Sequence, residues 1–420
     1  MRKELDKLLK LYDSVKNSAE CIPDEVYDFE INPTLEMLRI SEEDKWILIW
    51  KNLNSDIPKK KYASKEELYI IKCLVEDISL EQSSQMANVS IGHLYSSYKL
   101  ACEEGYILGP KSKLTRKRTG LKEKQVVDVF TLQWHITNSC DLYCKHCYDR
   151  NIRSSVTREQ ANNILDDLVN FCMNKNVGGH MCFSGGNPFL HPDFAFMYEN
   201  AVKKGFSTSI LANPIPEDKL QNILNIRYPN YYQVSLEGLE EHNDEIRGNG
   251  NFKSVINFLE ILKKLQVSSN VMLTLTHDNI DQALPLTEFL RDKTDSFTFN
   301  RLSQVGQGAN LLLPNFKKYE DFLGKYIEAS KNNPIIKFKD NLINIVLEKN
   351  NEKLFDGCTG FGCGAAFNFL TLLPDGEAHA CRKFPSKVGS LLDQNILDVY
   401  ESDLSEKYRQ GAKPCEKCSL

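Results

Sequence analysis

The sequence predicts an α/β protein built around a partial (β/α)6 barrel, and two observations lead to this prediction. Between about residues 127 and 305, short runs of β-branched and aromatic residues alternate with amphipathic helical stretches. Six such units in succession are typical of a parallel sheet with helices packed outside it. The chain has 420 residues, of which 41% are hydrophobic, and this length suits two or three domains with a sizeable core.

The six candidate strands follow one another in the predicted barrel region, residues 126–310. They are DVFTLQWHIT, HMCFSG, STSILAN, YYQVSLEG, VMLTLTH and SFTFNRL. Functional side chains of such barrels lie at the carboxyl ends of the strands. The segments directly after these runs are therefore the expected position of a site.

Residues 1–125 form a separate predicted domain with a winged-helix-like pattern. The strand-like run ILIWKNL precedes a stretch whose apolar residues recur at helical spacing, with breaks that separate at least three helices. A short strand-like GYILGP follows the helices, as a wing would. The basic stretch KSKLTRKRTGLKEKQ then leads into the barrel, and we interpret it as a solvated linker.

The net charge and the hydropathy of the chain indicate its cellular compartment and the classes of partner that it binds. The net charge of −5 gives no general attraction to nucleic acid or to an anionic membrane. No run approaches the roughly 18 apolar residues that a membrane helix needs. The charged N-terminus, MRKELDKLLKLYDSVK, also lacks the apolar core of a signal peptide. A cytoplasmic protein with neither a nucleic-acid nor a membrane partner is therefore expected.

Thirteen cysteines are many for a chain in a reducing compartment, where disulfides are rare. Five are scattered and are predicted to be buried apolar residues: Cys21, Cys73, Cys102, Cys172 and Cys182. Three others lie together after the first predicted strand, and five lie near the C-terminus. Clustering of this kind indicates ligands of a metal or of a cluster.

The first cysteine cluster follows the predicted strand that ends at Thr137. Cys140, Cys144 and Cys147 occupy positions i, i+4 and i+7 of the next loop, where three thiolates can reach one face of a cubane. Thiolates are soft ligands that suit iron–sulfur clusters and zinc. A structural zinc site needs a nearby fourth ligand, and His146 is awkwardly placed for that role between two of the cysteines.

This Cys-x3-Cys-x2-Cys loop resembles the signature of radical S-adenosylmethionine (radical SAM) enzymes. The resemblance implies that Cys140, Cys144 and Cys147 bind a [4Fe–4S] cluster and leave one iron open to S-adenosylmethionine. These cysteines are then the predicted catalytic residues, since their cluster cleaves S-adenosylmethionine to a 5′-deoxyadenosyl radical. The resemblance also implies that His146, the residue before the last cysteine, lies beside the adenine.

A glycine-containing segment after the second strand strengthens the resemblance. Ser184, Gly185, Gly186 and Asn187 resemble the family's GGEP motif, whose backbone binds the methionine amino group. Glycines let the backbone approach a ligand closely. Asn187 replaces the usual Glu, so this position keeps a hydrogen-bond acceptor but loses the charge.

The segment VSLEG, followed by HNDEIRG, is similar to a third family motif on the fourth strand. Ser235 and Glu237 alternate with apolar residues, which predicts that both point to one face. The resemblance implies that they bind the ribose hydroxyls and that Arg247 pairs with the methionine carboxylate. Weaker candidates for lining the same cavity are Thr208, Asn213 and Arg301.

The C-terminal tail contains a second set of cysteines. The pair Asp375–Gly376 predicts a hairpin turn that carries Cys363 back toward Cys381. Cys415 and Cys418 supply a second pair of thiolates. From chemistry alone, four thiolates suit zinc and an iron–sulfur cluster equally.

The tail pattern resembles the SPASM/twitch extension of radical SAM enzymes. Residues 311–420 are therefore expected to form an auxiliary-cluster domain with one further [4Fe–4S] cluster. The resemblance implies four cluster ligands and a spare cysteine, which are Cys363, Cys381, Cys415 and Cys418, with Cys358 as the spare.

Family members with such tails often modify ribosomally made peptides, and the segment INPTL with the later GGNP resembles selenobiotic-type peptide maturases. Region 1–125 then fits a domain that binds the leader of a precursor peptide along a sheet edge. The implied reaction is hydrogen abstraction from a peptide carbon, leading to a sulfur–carbon (thioether) or other crosslink. A flavodoxin- or ferredoxin-type protein is the implied electron donor.

Two other classes of function stay open at this point. A radical SAM enzyme of this kind can act on a small molecule or on a protein side chain instead of a precursor peptide. A metal-sensing DNA-binding regulator is the second alternative, supported by the basic stretch at 111–124. The overall acidic charge argues against that regulator, because phosphate binding favours a basic face.

Overall fold

The chain divides into two compact units. A computed structural model describes residues 29–40, 45–52, 57–116, 125–355 and 362–411. The first unit comprises residues 1–113, 172–178 and 203–206, and the second comprises 114–171, 179–202 and 207–420. No helix in these described ranges is long and apolar enough to cross a bilayer.

The first unit contains short strands followed by helices. Its strands are β1 (Glu30–Ile31), β2 (Glu36–Ile40), β3 (Lys45–Lys51), β4 (Pro58–Tyr62) and β5 (Ile107–Leu108). Its helices are α1 (Lys65–Val75), α2 (Leu80–Ala87) and α3 (Ile91–Glu104). Strands β2, β3 and β4 form an antiparallel sheet in that order, and β1 pairs with β5.

Local sequence explains where these helices begin. Ser64 caps α1, since its side chain accepts a hydrogen bond from the backbone of Glu67 while the Glu67 side chain accepts one from the backbone of Ser64. Ser79 and Gln82 repeat this reciprocal arrangement at α2. The three predicted helices and the two strand-like runs beside them are confirmed, whereas the winged-helix assignment of region 1–125 stays a prediction.

The second unit is built on a parallel sheet. Its six parallel strands are β8 (Val129–Thr137), β9 (Gly178–Gly185), β10 (Ser207–Leu211), β11 (Tyr232–Ser235), β12 (Ser269–Leu275) and β13 (Ser296–Arg301). They correspond to the six candidate runs, so the predicted parallel-rich α/β architecture is confirmed. A short antiparallel pair, β6 (Thr115–Arg116) and β7 (Gln125–Val126), precedes them.

Helices follow the parallel strands along the chain. They are α4 (Arg158–Lys175), α5 (Phe194–Lys203), α6 (Glu217–Leu224), α7 (Glu240–Arg247), α8 (Asn251–Lys264), α9 (Ala283–Leu290), α10 (Phe316–Asn332), α11 (Ile343–Lys349), α12 (Ile396–Glu401) and α13 (Asp403–Gln410). In α8 the buried residues recur every three or four positions, from Phe252 and Val255 to Leu262. This apolar stripe is what packs such a helix against a sheet.

A C-terminal hairpin extends the same sheet. Strand β14 (Phe369–Leu372) pairs in parallel with β8, and β15 (Glu377–His379) and β16 (Lys387–Ser390) add to it in antiparallel. Gly376 has φ +84°, which fits the predicted hairpin turn after Asp375. The sheet order is β13-β12-β11-β10-β9-β8-β14-β15-β16. The sequence predicted the hairpin but not that it would join the barrel sheet.

Buried side chains occupy the interior of this unit. Phe130, Leu132 and Trp134 of β8 are fully buried, and because they alternate along the strand they share the face that packs into the core. Of the scattered cysteines, Cys73, Cys172 and Cys182 are buried and Cys102 is half-buried, while Cys21 lies outside the described residues.

Candidate active site

A cavity of about 520 Å³ lies at the carboxyl ends of the parallel strands. Its walls come from the cysteine loop after β8, the glycine segment after β9 and residues at the ends of β10 to β13. The cavity therefore lies at the edge of the sheet where the sequence predicted a site.

The cysteine loop brings three thiols to the cavity wall: Cys140, Cys144 and Cys147. Burial raises the pKa of the Cys140 and Cys144 thiols. Hydrogen bonds from Leu142 and Asn213 oppose the rise at Cys140, and the positive charge of Arg247 opposes it at Cys144. The Asn213 amide lies 3.5 Å from Cys140 Sγ, and Arg247 Nη1 lies 3.8 Å from Cys144 Sγ. Thiolate ligands with donors aimed at the sulfur are the environment that iron–sulfur clusters use. The residues present therefore fit a cluster.

The glycine segment packs directly against the start of the cysteine loop. Gly186 N donates to Thr137 O, and Asn187 N donates to Ser139 O, both over 2.8 Å. A Cβ atom on Gly185 would lie 2.2 Å from Thr137 O, and one on Gly186 would lie 2.2 Å from Ser139 O. Any larger residue would separate the two loops, so both glycines are required for this side of the cavity.

The side chain of Asn187 turns toward the cysteine loop. Its Nδ2 donates to Asp141 Oδ1 over 3.1 Å, and its Oδ1 accepts from Phe189 N over 3.2 Å. Asn213 Nδ2 donates to the same Asp141 oxygen over 2.6 Å. Among the described residues, Ser184, Gly185 and Gly186 line the cavity and Asn187 does not. The amide at position 187 thus holds the loops together.

Glu237 is the centre of a buried polar network behind the cavity wall. Its Oε1 accepts from Arg247 Nε over 2.9 Å and from Arg247 Nη2 over 2.7 Å. Its Oε2 accepts from Thr274 N over 2.8 Å. His146 Nε2 lies 2.8 Å from Oε1, an electrostatic contact without the alignment of a hydrogen bond. Burial favours the neutral acid, but His146 and Arg247 outweigh it and lower the pKa of Glu237 to about 2.

This network corrects the predicted placement of Glu237. In the described part of the chain, Ser235, Arg247 and His146 line the cavity, whereas Glu237 is fully buried and does not. The alternation along β11 ends before position 237, since the strand stops at Ser235. Glu237 therefore contacts Arg247 and His146 behind the cavity wall instead of facing the cavity beside Ser235.

Several lining residues were not predicted from the sequence. Tyr148 Oη lies 3.4 Å from His135 Nε2, and burial raises the pKa of Tyr148 to about 12. Burial, and then the neighbouring Arg382, hold the pKa of His135 well below its ordinary value. Arg382 Nη1 donates to Ser184 Oγ over 3.0 Å. The available signal was adjacency, since Tyr148 and Arg382 each directly follow a predicted ligand, Cys147 and Cys381 respectively.

Of the three residues that were weaker candidates for lining the cavity, two do so and one does not. Asn213 and Arg301 line the cavity, and Arg301 Nε also donates to Asp340 over 2.6 Å. Thr208 is buried and shares a 2.8 Å hydrogen bond with Tyr198, which gives it a structural role.

The structure describes part of the predicted tail site. Cys363 is exposed, and its carbonyl oxygen accepts from Arg116 Nη1 over 2.7 Å. Cys381 is half-buried, and burial raises the pKa of its thiol. The other predicted tail cysteines, Cys358, Cys415 and Cys418, lie outside the described residues. The four-thiolate site stays a prediction.

Comparisons with known proteins match two regions of the chain. A model of the Radical SAM superfamily matches residues 134–290, and a model of the iron–sulfur cluster-binding domain SPASM matches residues 363–419. Together these matches include the cavity-lining cysteine loop and four of the five tail cysteines.

Curated relatives match over the barrel region. The Fe-coproporphyrin III synthase of Methanosarcina barkeri is 26% identical over 199 residues, or 46% of this chain and 47% of the relative. The mycofactocin maturase MftC of Mycolicibacterium smegmatis is 26% identical over 43% of this chain and 46% of the relative. The chain thus spans about half the length of the curated relatives it matches.

Solved structures share the fold over a longer stretch. SuiB of Streptococcus suis bound to its precursor peptide SuiA superposes with a TM-score of 0.57 at 15% identity, covering 93% of both chains. The AdoMet-bound anSMEcpe structure gives a TM-score of 0.52 at 17% identity, covering 69% of this chain and 88% of that chain. At these identities the similarity concerns the fold.

Proposed function

We propose that this chain, which belongs to the radical SAM superfamily and carries a SPASM iron–sulfur domain, is a maturase of a ribosomally made precursor peptide. The observation that carries the proposal is the cavity at the carboxyl ends of the strands, with three thiols on its wall. The likeness of sequence to a mycofactocin maturase and of fold to SuiB supports a peptide as the substrate.

The cofactors of such an enzyme are [4Fe–4S] clusters and S-adenosylmethionine. In this proposal Cys140, Cys144 and Cys147 hold the first cluster. Bound together, the reduced cluster and S-adenosylmethionine supply a carbon-centred radical that abstracts hydrogen from the substrate. A flavodoxin- or ferredoxin-type donor supplies the electron.

The chain's own residues bind and orient S-adenosylmethionine. The backbone of Gly185 and Gly186, held against the cysteine loop, presents polar groups to the methionine amino group. Ser235 on the cavity wall reaches the ribose, and Arg247 offers N–H donors to the carboxylate. Glu237 keeps the Arg247 guanidinium in one orientation through two hydrogen bonds to a single oxygen.

The tail supplies the auxiliary cluster in this proposal. Cys363 and Cys381 act with Cys415 and Cys418 as its four thiolate ligands, and Cys358 is the spare cysteine. The cluster accepts an electron from the product or binds a substrate sulfur, and the second role leads to a thioether link. In this proposal residues 1–125 bind the leader, residues 126–310 form the barrel that binds S-adenosylmethionine, and residues 311–420 carry the auxiliary cluster.

The leader of the precursor peptide binds the first unit along a sheet edge. Within the described residues, β4 lies at one edge of the sheet β2-β3-β4 and is paired there with β3 alone. Its residues Lys59 and Lys60 are exposed. An added strand would satisfy the free backbone groups of this edge, and the lysines favour an acidic leader.

A direct assay tests the proposal. The reconstituted and reduced enzyme is incubated with S-adenosylmethionine and with each candidate precursor peptide that short open reading frames near its gene encode. We expect 5′-deoxyadenosine and a peptide whose mass has fallen by a hydrogen pair. A Cys140→Ala/Cys144→Ala/Cys147→Ala variant is the matched control and should give neither product.

A second candidate substrate is a tetrapyrrole, because one relative is an Fe-coproporphyrin III synthase. The same assay with iron tetrapyrroles in place of the peptide, analysed for newly formed Fe-coproporphyrin III, separates the two. An unchanged peptide together with a converted tetrapyrrole would replace the maturase proposal.

A further inference from the structure

One arginine of the cavity wall stands apart from the others. Arg247 and Arg301 line the cavity with a carboxylate partner each, Glu237 and Asp340. Arg150 is exposed to solvent, where water can satisfy its charge. Arg382 lines the same cavity, yet no carboxylate of the described residues lies within ion-pair distance of it.

The surroundings of Arg382 are polar and aromatic. Its Nη1 donates to Ser184 Oγ over 3.0 Å, and its guanidinium carbon lies 5.7 Å from the centre of the Tyr148 ring. The titratable groups around it are the phenols of Tyr148 and Tyr231 and the thiols of Cys182 and Cys381. Burial raises the pKa of Cys182 and of Tyr231, and Cys381 is a proposed ligand of the auxiliary cluster. Most of the five guanidinium N–H donors thus have no acceptor among the described residues.

Arg382 is half-buried, and a cation partly removed from water is stabilised by an anion or by several acceptors. The arrangement leaves one side of the guanidinium facing a cavity large enough for a ligand, with Ser184 fixing the other side. The planar guanidinium group of an arginine matches a carboxylate, which accepts two parallel hydrogen bonds from it.

We propose that Arg382 is a specificity-determining residue that binds a carboxylate of the substrate, the side chain of an acidic residue in the peptide to be modified. This inference rests on the proposed function and names the chemistry that the same cavity selects. Arg382 directly follows Cys381, so the predicted auxiliary-cluster segment supplies the recognition group. The bound carboxylate positions the neighbouring peptide carbons in the cavity.

Site-resolved chemical modification tests the inference without a known substrate. The reconstituted wild-type enzyme is treated with phenylglyoxal, and the modified arginines are mapped by peptide mass spectrometry. The probes are N-acetylglutamate α-amide and its uncharged counterpart, N-acetylglutamine α-amide. We expect the first to slow modification of Arg382 several-fold and the second to leave it unchanged. Arg158, whose side chain is 63% exposed, reports the reagent level and should react equally throughout.

Three outcomes overturn the inference. In the first outcome, Arg382 is equally reactive with both probes. In the second, Arg382 is unreactive without any probe, because a residue of this chain already covers it. In the third outcome S-adenosylmethionine alone protects Arg382 fully, which assigns the guanidinium to the cofactor carboxylate. Failure of peptide modification in the maturase assay is a separate readout, so protection by the carboxylate probe would stand even if the substrate were another acid.

Discussion

Asn187 donates to Asp141 across 3.1 Å and so ties the glycine segment after β9 to the cysteine loop after β8. The resembled motif has Glu at this position, and a carboxylate there would face the carboxylate of Asp141. Because like charges at this distance repel, the amide suits this loop where a carboxylate does not. The departure from the motif is therefore explained by a neighbour that the motif does not include.

Replacing Asn187 by Asp tests this tie. The variant loses the donor to Asp141 and adds a like charge, so we expect it to be destabilised by about 2 kcal/mol. Thermal unfolding and the iron retained after desalting measure the effect. The double variant Asn187→Asp/Asp141→Asn restores an amide–carboxylate pair and should recover most of the loss. An Asn187→Asp variant as stable as wild type would show that the pair does not hold the loops.

Replacing Glu237 by Gln tests the buried network. Arg247 and His146 would lose the negative charge between them, and breaking a buried pair in this way typically lowers stability by about 3 kcal/mol or more. Denaturant unfolding measures the change. Glu240→Gln is the matched control, since its ion pair with Lys253 is exposed and its loss should change stability by less than about 1 kcal/mol. Equal effects of the two changes would contradict the network's role.

The close approach of two loops makes Gly186 irreplaceable. A Cβ at this position would lie 2.2 Å from a backbone oxygen, which cannot move without the loop that carries the cysteines. We expect Gly186→Ala to lose iron after reconstitution and to unfold at a lower temperature. Gly324→Ala is the control, because a Cβ on Gly324 meets no atom within 4 Å and alanine favours its helix. Full iron retention in Gly186→Ala would refute the argument.

His180 predicts a pH dependence of stability. Its ring nitrogens lie 2.8 Å from Ser207 Oγ and 2.9 Å from Ser209 Oγ, and burial lowers its pKa from 6.5 to about 4. The unfolded chain therefore binds a proton near pH 6.5, while the folded chain binds it only near pH 4. Stability from this residue is fully present above pH 6.5 and decreases as the pH falls through this window.

Unfolding measured at several pH values between 5 and 8 checks this sign. Wild type should lose on the order of 2 kcal/mol between pH 7 and pH 5 through His180. His180→Gln keeps an amide that can bond to both serines and does not titrate, so its curve should be flatter. Parallel curves for the two proteins would exclude His180 as the source.

The sequence predicted the parts of the fold that depend on local patterns. A strand such as YQVS of β11 is recognisable in the sequence as a buried strand, because neighbouring structure covers both of its faces. The capped helices and the turn at Asp375–Gly376 are also visible in local residue types. Pairing of β14 with β8 was not predictable in this way, since it joins segments far apart along the chain.

The site shows the same division between local and distant information. The cysteine spacing and the two glycines were recognisable, and the structure places them on one cavity. The pairing of Arg247 with Glu237 depends on where β11 ends, which the alternation of residue types did not reveal. Arg382 was missed because its partner Ser184 lies 198 positions away.

The central claim is that this chain holds two iron–sulfur clusters, the first on Cys140, Cys144 and Cys147. Iron and acid-labile sulfide per chain, measured after anaerobic reconstitution, test it most directly. We expect about eight irons in wild type and about four in the Cys140→Ala/Cys144→Ala/Cys147→Ala variant. Little or no iron in wild type, with zinc in its place, would contradict the account.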